Sequence, residues 1–284
     1  HTLARIAARK SLSGRPMTNV VVKKKWLRGN RITVFYLTLF LILWEAGIRL
    51  FEVPMYLLPA PSGIAVKFVQ NFPLILKYTW ITGLESFGGF LVSAAWGIPL
   101  SLIIAFSIFL RKTLYPFTVA LQLVPKIALA PLFVTWFGFG LMPKFIIVFL
   151  LCFFPILLNA ILGFTSLKKE HNDFALSTGA DPLTVFWKVR LPAALPQIFV
   201  GLKWAAVNAT VGATIGEWIG GDAGLGYYIQ MASGDMKMDV AFAIIVMLAF
   251  LGLFLYYLVV VFEKILVPWH VSQRSSVSGL VTTE

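Results

Sequence analysis

Six long apolar segments constrain this chain more than any other feature of its sequence. A helix needs about 20 apolar residues to cross the hydrocarbon core of a bilayer. The chain is 59% hydrophobic and only 13% charged, whereas soluble domains carry about 25% charged residues. The sequence therefore predicts an all-α integral membrane protein with about six transmembrane helices. The predicted spans are 31–50, 79–107, 114–137, 144–164, 198–219 and 241–262.

Basic residues are distributed unevenly between the segments that join these spans. With the N-terminus in the cytoplasm, 18 Lys and Arg residues lie on the cytoplasmic side and five on the outer side. Nine of the 18 fall in residues 1–31, before the first long apolar run. Cytoplasmic segments of membrane proteins carry the excess of Lys and Arg, so this orientation is predicted. The outer five are Arg49, Lys67, Lys77, Lys144 and Lys237.

The net charge of +12 is concentrated where it anchors a membrane protein, which argues against a nucleic-acid partner and favours contact with anionic lipid. We expect a basic cytoplasmic segment over 1–30 and a transmembrane domain over 31–265. A polar cytoplasmic tail is expected over 266–284. The single cysteine, Cys152, excludes an internal disulfide, and its apolar surroundings favour a packed thiol.

Residues 165–197 form a polar, charged loop between the fourth and fifth spans. Its first part, 168–178, suits a short helix, which Gly179 can end because glycine adopts left-handed backbone angles at little cost. Asp181 then suits the N-cap and Pro182 the first position of a second short helix. The loop is therefore predicted to contain two short helices that meet at a turn.

The second short helix places Val185, Phe186 and Val189 on one face by their spacing. Leu191-Pro192 is expected to break this helix, because proline removes a backbone donor. An apolar face outside the bilayer has to be buried, either on the protein's own transmembrane domain or in a groove of a partner. The residues alone leave both alternatives open.

The spacing of this loop resembles the EAA coupling loop of permease subunits in ABC importers, Glu-Ala-Ala-x3-Gly-x9-Ile-x-Leu-Pro. All offsets match, and three residues depart from the pattern: Asp173 for Glu, Phe174 for the first Ala and Val189 for Ile. The resemblance implies that the loop docks in a groove of a separate cytoplasmic ATPase. The implied docking residues are Asp173, Phe174, Ala175, Gly179, Ala180, Val189, Leu191 and Pro192.

Further motifs resemble the nitrate/sulfonate/taurine permease family over residues 55–265. They include Leu58-Pro59-Ala60-Pro61, Gly97-Ile98-Pro99-Leu100, Phe154-Pro155-Ile156-Leu157 and Gly224-Leu225-Gly226. The resemblance implies a type I importer fold, similar to the methionine permease, and a homodimer in a bacterial inner membrane. It also implies two cytoplasmic ATPases that bind ATP and Mg, and an extracytoplasmic substrate-binding protein. This chain itself is then expected to hold no metal, cofactor or catalytic residue.

Ionisable side chains at membrane depth are costly, so each needs a partner or a function. Lys126 is expected to pair with Glu85 or Glu217, and attraction of an anionic substrate is the alternative. Glu217 and Trp218 are candidates for the substrate pathway, together with Glu85 and Lys126. The sequence around Glu217-Trp218 is similar to permeases for pyrimidine thiamine precursors, which implies a heteroaromatic substrate. Lys126 instead favours an anion such as nitrate, sulfonate, taurine or bicarbonate.

Small residues form a ridge along the fifth span, at spacings of three and four. In a membrane such ridges let helices approach closely. The ridge therefore indicates either packing within the subunit or a dimer seam, and both alternatives stay open. Its members are Ala205, Ala209, Gly212, Gly216 and Gly220, and the second span carries a shorter ridge at Gly89, Ser93 and Gly97.

The sequence contains no Gly-x4-Gly-Lys-Ser/Thr phosphate loop and no Cys/His set with metal-ligand spacing. The leading interpretation is therefore the permease subunit of an ATP-driven importer of a small solute, with ATP hydrolysed on another chain. The alternative is an ATP-independent secondary transporter or channel, which would need an ion relay through its spans.

Overall fold

A computed structural model describes the backbone of residues 18–167, 175 and 177–269. Every regular element in these residues is a helix. The predicted basic segment and polar tail lie largely outside the described residues, as do Asp173 and Phe174 of the loop. The chain divides after Gly63 into two compact units.

The first unit contains helix α1 (Thr18–Leu50). One carboxylate, that of Glu45, organises the end of this helix. It forms an ion pair with Arg49 at 2.7 Å and accepts hydrogen bonds from the backbone N and the hydroxyl of Ser62, at 3.0 and 2.7 Å. Ser62 lies in the first turn of α2 (Pro61–Gln70), where a carboxylate is favoured by unpaired N–H groups.

Eight more helices follow α2 in the described residues. They are α3 (Phe72–Phe106), α4 (Ile108–Leu123), α5 (Ala130–Phe137), α6 (Leu141–Thr165), α7 (Pro182–Val185), α8 (Leu191–Gly220), α9 (Leu225–Gly234) and α10 (Met238–Leu266). A 3₁₀ turn precedes α5 at Lys126–Leu129, and a π turn joins α7 to α8 at Phe186–Arg190.

Five helical stretches are long and apolar enough to cross a membrane, and a bent pair makes a sixth span if it is counted as one. The predicted all-α membrane fold is thus confirmed. The five stretches are Ile32–Leu50, Phe72–Phe106, Leu141–Thr165, Pro182–Gly220 and Met238–Leu266.

The third predicted span, 114–137, is wrong as a continuous helix. The chain bends by 77° between Ile108–Leu123 and Lys126–Phe137. Val124 is extended, with φ −64° and ψ 128°, because proline disfavours the helical conformation in the residue before it. Pro125 therefore ends α4 and redirects the chain within the membrane-spanning part of the protein.

The boundary between the second and third spans also differs from the prediction. The predicted spans 79–107 and 114–137 leave Arg111 and Lys112 between them, but both residues lie inside α4. The separation falls at Ser107, whose hydroxyl accepts a hydrogen bond from Leu110 N at 3.3 Å and so caps α4. The two cations therefore belong to the beginning of α4.

Helix α6 lies at the centre of the second unit, where it packs most extensively against α8 and then α3. The small residues of α8 make this possible. A Cβ on Gly212 would lie 3.0 Å from Cα of Val148, and one on Gly216 would lie 2.9 Å from Cα of Lys144. Ala205 and Ala209 are also fully buried. The ridge is thus occupied by α6 of the same chain and is not open as a seam to a second copy.

The shorter ridge on α3 faces α6 as well. The Ser93 hydroxyl donates to the carbonyl oxygen of Phe149 at 3.1 Å, and a Cβ on Gly97 would lie 3.2 Å from Ile156 Cγ2. On the other side of α8, Lys203 pairs with Glu263 of α10 at 3.0 Å. Small residues and the Lys203–Glu263 ion pair contribute to holding α3, α6, α8 and α10 in one bundle.

Candidate functional site

A buried ion pair joins α6 to α3. The Nζ of Lys144 lies 2.9 Å from Oε1 of Glu85, and the two side chains are only 2% and 3% exposed. Lys144 also donates to the carbonyl oxygen of Ala223 at 3.4 Å and lies 3.8 Å from the exposed carboxylate of Asp222. A buried pair is costly to break, since the remaining charge has no solvent to compensate it.

Glu217 holds the first turn of α9, and with it the connection 221–224 from α8, against the bundle. Its Oε2 accepts a hydrogen bond from Gly226 N at 2.6 Å, and its Oε1 accepts one from the Thr82 hydroxyl at 2.7 Å. The same hydroxyl accepts from Leu225 N at 2.8 Å. Glu217 and Thr82 thus each satisfy one N–H group in the first turn of α9, where negative charge is favoured. We call Thr82, Glu85, Lys144 and Glu217 the polar cluster.

Lys126 lies apart from the polar cluster. Its Nζ donates to the carbonyl oxygen of Gln122 at 3.0 Å and lies 5.0 Å from the centroid of the Phe154 ring. The predicted pairing of Lys126 with Glu85 or Glu217 is therefore wrong. Glu85 is paired by Lys144, and the oxygens of Glu217 accept from α3 and α9.

Lys144, the central member of this cluster, was predicted only as an outer cation. A lysine at the beginning of an apolar span is hard to distinguish by sequence from one whose amine reaches water. Thr82 gave no signal at all, since a threonine within a span is common. The close approach of α8 at Gly216 is what encloses Lys144.

Trp218, the fourth pathway candidate, points away from its neighbour Glu217. It is half-exposed and lines an apolar groove of about 610 Å³ between α8 and α10. Val211, Thr214, Ile245, Gly252 and Tyr256 also line this groove. Of the four pathway candidates, the structure thus brings together only Glu85 and Glu217.

At the other end of α6 lies the described part of the loop, residues 175 and 177–192, which we call the coupling segment. Gly179 ends its first helical turn with φ +79°, in the left-handed region that glycine favours. Asp181 accepts a hydrogen bond from the Thr184 hydroxyl at 2.5 Å and one from Thr184 N at 3.1 Å. These bonds lower the pKa of the Asp181 carboxyl. The predicted turn, cap and proline start at Pro182 are present.

The predicted break at Leu191-Pro192 is absent. The chain continues from α7 through the π turn into α8, and Leu191 N donates to the carbonyl oxygen of Phe186. A π turn inserts one extra residue and so rearranges the backbone pairing. Pro192 then falls at the beginning of α8, where its missing N–H costs little. Residues 182–220 are thereby one helical stretch.

The apolar face assigned to a partner packs on the protein's own spans. Val185 is only 2% exposed. The Phe186 ring stacks on Phe164 with centroids 6.4 Å apart and meets Phe106 edge-on at 5.9 Å. The prediction that this face lies in a partner groove is therefore wrong. The exposed apolar side chains of the second helix are instead Leu183 and Trp187, at 65% and 58%.

The remaining predicted docking residues stand on the same segment with mixed accessibility. Gly179 is exposed, and a Cβ placed on it would meet no atom within 4 Å. The others are partly buried, namely Ala175, Ala180, Val189, Leu191 and Pro192. The segment therefore presents a glycine turn and the pair Leu183 and Trp187 on its accessible side.

A bundle of membrane-spanning helices with the coupling segment at one end is the architecture of a membrane permease domain. The family of binding-protein-dependent transport system inner membrane components matches residues 97–269, and the chain belongs to this family. It is the permease subunit of an ABC importer, as its sequence resemblance implied.

Curated relatives cover most of the chain. The formylaminopyrimidine transport permease ThiX of Halalkalibacterium halodurans is 33% identical over 85% of this chain and 96% of its own length. The riboflavin permease RibX of Chloroflexus aurantiacus is 34% identical over 83% of this chain and 89% of its own length. The taurine permease TauC of Escherichia coli is 27% identical over 88% of this chain and 94% of its own length.

The fold has a counterpart among solved structures. The methionine ABC transporter MetNI, in inward-facing conformations, superposes with a TM-score of 0.56 at 17% identity, over 69% of this chain and 97% of that one. This likeness concerns the fold alone, and it confirms the predicted type I importer architecture.

Proposed function

We propose that the coupling segment faces the cytoplasm and docks on two ABC ATPases, one for each copy of a permease homodimer in a bacterial inner membrane. The charge asymmetry supports this orientation: 18 Lys and Arg residues against five. Lys144 is buried, so it no longer counts among the basic residues on the outer side. The excess of Lys and Arg on the cytoplasmic side is then larger. The polar cluster then lies at the extracytoplasmic end, toward a substrate-binding protein.

The observation that carries the docking proposal is the exposure of Leu183 and Trp187 on a helix outside the apolar core. Both side chains are more than half exposed and lie four residues apart, on one helical face. Large apolar groups that project together from a soluble surface mark a binding surface. Tryptophan in particular dominates interface energies. These two side chains are therefore the proposed contacts with the ATPase.

Residues 182–220 form one continuous helical stretch. A displacement at the ATPase contact is therefore transmitted along this stretch. ATP and Mg bind the partner subunits, and hydrolysis there changes the separation of the docked segments. Because the π turn joins α7 to α8 without a break, displacement of the segment is carried along α8. Glu217 near its far end is bonded to α3 and α9, so movement of α8 acts on the extracytoplasmic end as well.

The bend in the third span supports a position on the transport path. Irregular backbone at membrane depth persists only where protein covers it or where it lines an aqueous cavity. Pro125 interrupts the helix, and the flanking Leu123 and Ile127 are exposed in the single chain. Lys126 adds a cation at the same place. We assign this bend to the pathway between the two permease copies.

For the substrate, we propose a small heteroaromatic compound of the pyrimidine or flavin kind. The permeases named for formylaminopyrimidine and riboflavin are 33% and 34% identical to this chain, whereas the taurine permease is 27% identical. The half-exposed Trp218 offers a stacking surface of the kind that aromatic ligands use. An anion such as nitrate, a sulfonate, taurine or bicarbonate is the alternative, which Lys126 favours.

Reconstitution tests the energy source. Proteoliposomes would contain the permease, its ATPase and the substrate-binding protein, with labelled formylaminopyrimidine, riboflavin or taurine outside. We expect uptake with the active ATPase and none with an ATPase variant that binds ATP without hydrolysing it. Uptake that persists with the inactive ATPase, or with the permease alone, would show a secondary transporter or channel.

The same proteoliposomes test the substrate class. We measure uptake of labelled formylaminopyrimidine or riboflavin in the presence of unlabelled competitors. We expect the unlabelled heteroaromatic compounds to reduce this uptake, and taurine, nitrate and bicarbonate to leave it unchanged. A thermal-shift screen of the binding protein with the same compounds gives an independent measurement. Stabilisation of that protein by an anion alone would overturn the heteroaromatic assignment.

A further inference from the structure

The polar cluster contains more acidic than basic side chains. Its ionisable members are Glu85, Glu217 and Lys144, and all three are buried. In the part of the chain that the structure describes, Lys144 is the only cation that pairs with either glutamate. The Asp222 carboxylate lies 3.8 Å from Lys144 Nζ, but it is 91% exposed, so water solvates it. An unbalanced buried charge is costly at membrane depth, so the cluster needs one further positive charge.

One oxygen of Glu85 shows where that charge is needed. Oε1 accepts from Lys144 at 2.9 Å, whereas Oε2 is buried and has no hydrogen-bond donor among the described residues. Buried acceptors in folded proteins are normally paired. The side chain of Glu217 lies within hydrogen-bonding distance of the Glu85 side chain. Because ionised carboxylates only accept hydrogen bonds, a bond between these two groups requires a proton.

The donors that neighbouring helices direct to the cluster are bonded elsewhere. From α9, the N–H groups of Leu225 and Gly226 donate to the Thr82 hydroxyl and to the α8 carboxylate. The Thr82 hydroxyl of α3 donates to that same carboxylate at 2.7 Å. From α6, Lys144 donates to Oε1 of Glu85. These bonds leave Oε2 of Glu85 as the position that a shared proton would satisfy.

A second lysine–glutamate pair in the same bundle shows what a balanced site looks like. Lys203 of α8 donates to both carboxylate oxygens of Glu263 of α10, at 3.1 and 3.0 Å. One cation there meets one carboxylate, and each oxygen has a donor. The polar cluster differs in both respects, since it has two carboxyl groups for one cation and one oxygen without a donor.

We infer that Glu85 and Glu217 share one bound proton, which joins α3 to α8 beside Lys144. With this proton the buried charges of the cluster sum to zero, and the two carboxyl groups gain the donor that they lack. The polar cluster is thus a proton-binding site at the place where α8 holds the first turn of α9. The inference depends on buried side chains of one chain and is independent of the proposed transport function.

Infrared spectroscopy tests the proton directly. A protonated carboxylic acid has a C=O stretching band that ionised carboxylates lack, and this band shifts in D₂O. The full-length chain is measured at pH 7 in dodecyl maltoside, a detergent without a carbonyl group. The variants are Glu85→Gln and Glu217→Gln, each of which keeps the side-chain shape and supplies an N–H donor. The matched control is Glu263→Gln, which removes a carboxylate that Lys203 already balances.

We expect the unmodified chain to show the band of a protonated acid at pH 7. Glu85→Gln and Glu217→Gln should each abolish one acid's intensity, because the carboxylate that remains is balanced by Lys144. Glu263→Gln should leave the band unchanged. The absence of the band from the unmodified chain, or its persistence in both cluster variants, would overturn the proposal. The spectrum of the unmodified chain keeps the test decisive if a variant does not fold.

A second measurement separates the proton from a metal cation in the same place. Thermal unfolding of the unmodified chain is followed in sodium chloride and in choline chloride at equal ionic strength. We expect equal unfolding temperatures, because a bound proton leaves no charge for sodium to balance. Stabilisation by sodium that is lost in Glu217→Gln would assign the missing charge to a metal cation and overturn the proton. Because no ATPase or binding protein is present, neither result bears on the transport proposal.

Discussion

The polar cluster and the coupling segment lie at opposite ends of α6, about 30 Å apart along that helix. At the cluster, charged groups are buried and bonded within the same chain: Lys144 pairs with Glu85 Oε1, and Glu217 accepts from Thr82 and Gly226. At the coupling segment, apolar groups are exposed and nothing in the described chain covers them. One end is closed by the subunit's own side chains, and the other is the surface that we propose a partner covers.

The two ends therefore contribute differently to the protein. Residues of the cluster stabilise the fold, because the bilayer offers them no alternative partners. On the proposed docking, we expect the exposed residues of the coupling segment to contribute little to the stability of the single chain and much to assembly. Substitutions that separate stability from ATPase binding test this distinction directly.

The largest effect is expected from Lys144→Met. It leaves the Glu85 carboxylate buried beside Glu217 with no cation at 2.9 Å, and breaking such a pair costs about 3 to 5 kcal/mol. Thermal unfolding in detergent, followed by tryptophan fluorescence, measures the loss. The matched control is Lys77→Met on the same bundle, since Lys77 is exposed and its replacement should change little.

The double variant Lys144→Met with Glu85→Leu sharpens the result. Replacing both members of a buried ion pair with apolar groups is often neutral, so we expect most of the stability to return. A double variant as unstable as Lys144→Met alone would mean that the single substitution acts through packing against α8 and not through charge.

Thr82→Val tests the hydrogen-bond chain with almost no change of shape. It removes the donor to Glu217 and the acceptor for Leu225 N, and unpaired buried polar groups cost about 1 to 3 kcal/mol each. We expect a loss of about 2 kcal/mol and faster hydrogen exchange at the Leu225 amide. The control is Thr79→Val, one turn earlier, whose hydroxyl bonds only the Ile75 carbonyl of its own helix. Equal effects in both variants would contradict an anchoring role.

Trp187→Ala tests the other end. Truncation of an interface tryptophan costs about 2 kcal/mol or more, so we expect the affinity for the ATPase to fall about thirtyfold, with unfolding unchanged. Biolayer interferometry with the purified ATPase measures the first quantity. Trp204→Ala is the matched control, because Trp204 is similarly exposed but lies on the membrane-spanning part of α8. Unchanged ATPase affinity in Trp187→Ala would place the contact elsewhere on the segment.

The sequence was sufficient for features with a local physical cause. Apolar length predicted the spans other than the bent third one, and the left-handed turn at Gly179 and the cap at Asp181 followed from backbone preferences of single residues. The small residues of α8 predicted that another helix approaches it closely. In each case the relevant energy depends on the residue and its near neighbours in the chain.

The sequence was insufficient where the outcome depends on which distant residues meet. Lys144 and Lys126 are both lysines near proline in apolar surroundings, yet only Lys144 faces Glu85, because Gly216 admits α6 closely. Likewise, Val185 and Phe186 form an apolar face by periodicity, but the position of Phe164 decides that this face turns inward. Such choices are set by tertiary packing and leave no local signature.

The smallest effect is expected at Asp181. This residue lies in the coupling segment and caps the beginning of α7. Two hydrogen bonds lower the pKa of the Asp181 carboxyl. The bond from the Thr184 hydroxyl has the larger effect, and the bond from Thr184 N has the smaller one. A carboxyl whose folded pKa lies below its unfolded value, about 3.9, stabilises the fold above that value. The contribution is lost as the pH falls through the folded pKa.

Asp181→Ala should therefore lower the unfolding temperature by about 2 °C at pH 7, and the difference from the unmodified chain should shrink as the pH falls below about 3.9. Asp181→Asn is the control, because asparagine caps a helix but does not titrate. It should keep most of the stability at pH 7 and lack the acid-dependent change. A difference between Asp181→Ala and the unmodified chain that stays constant down to pH 3 would show that the carboxylate's charge is irrelevant, and that the cap acts only through its shape.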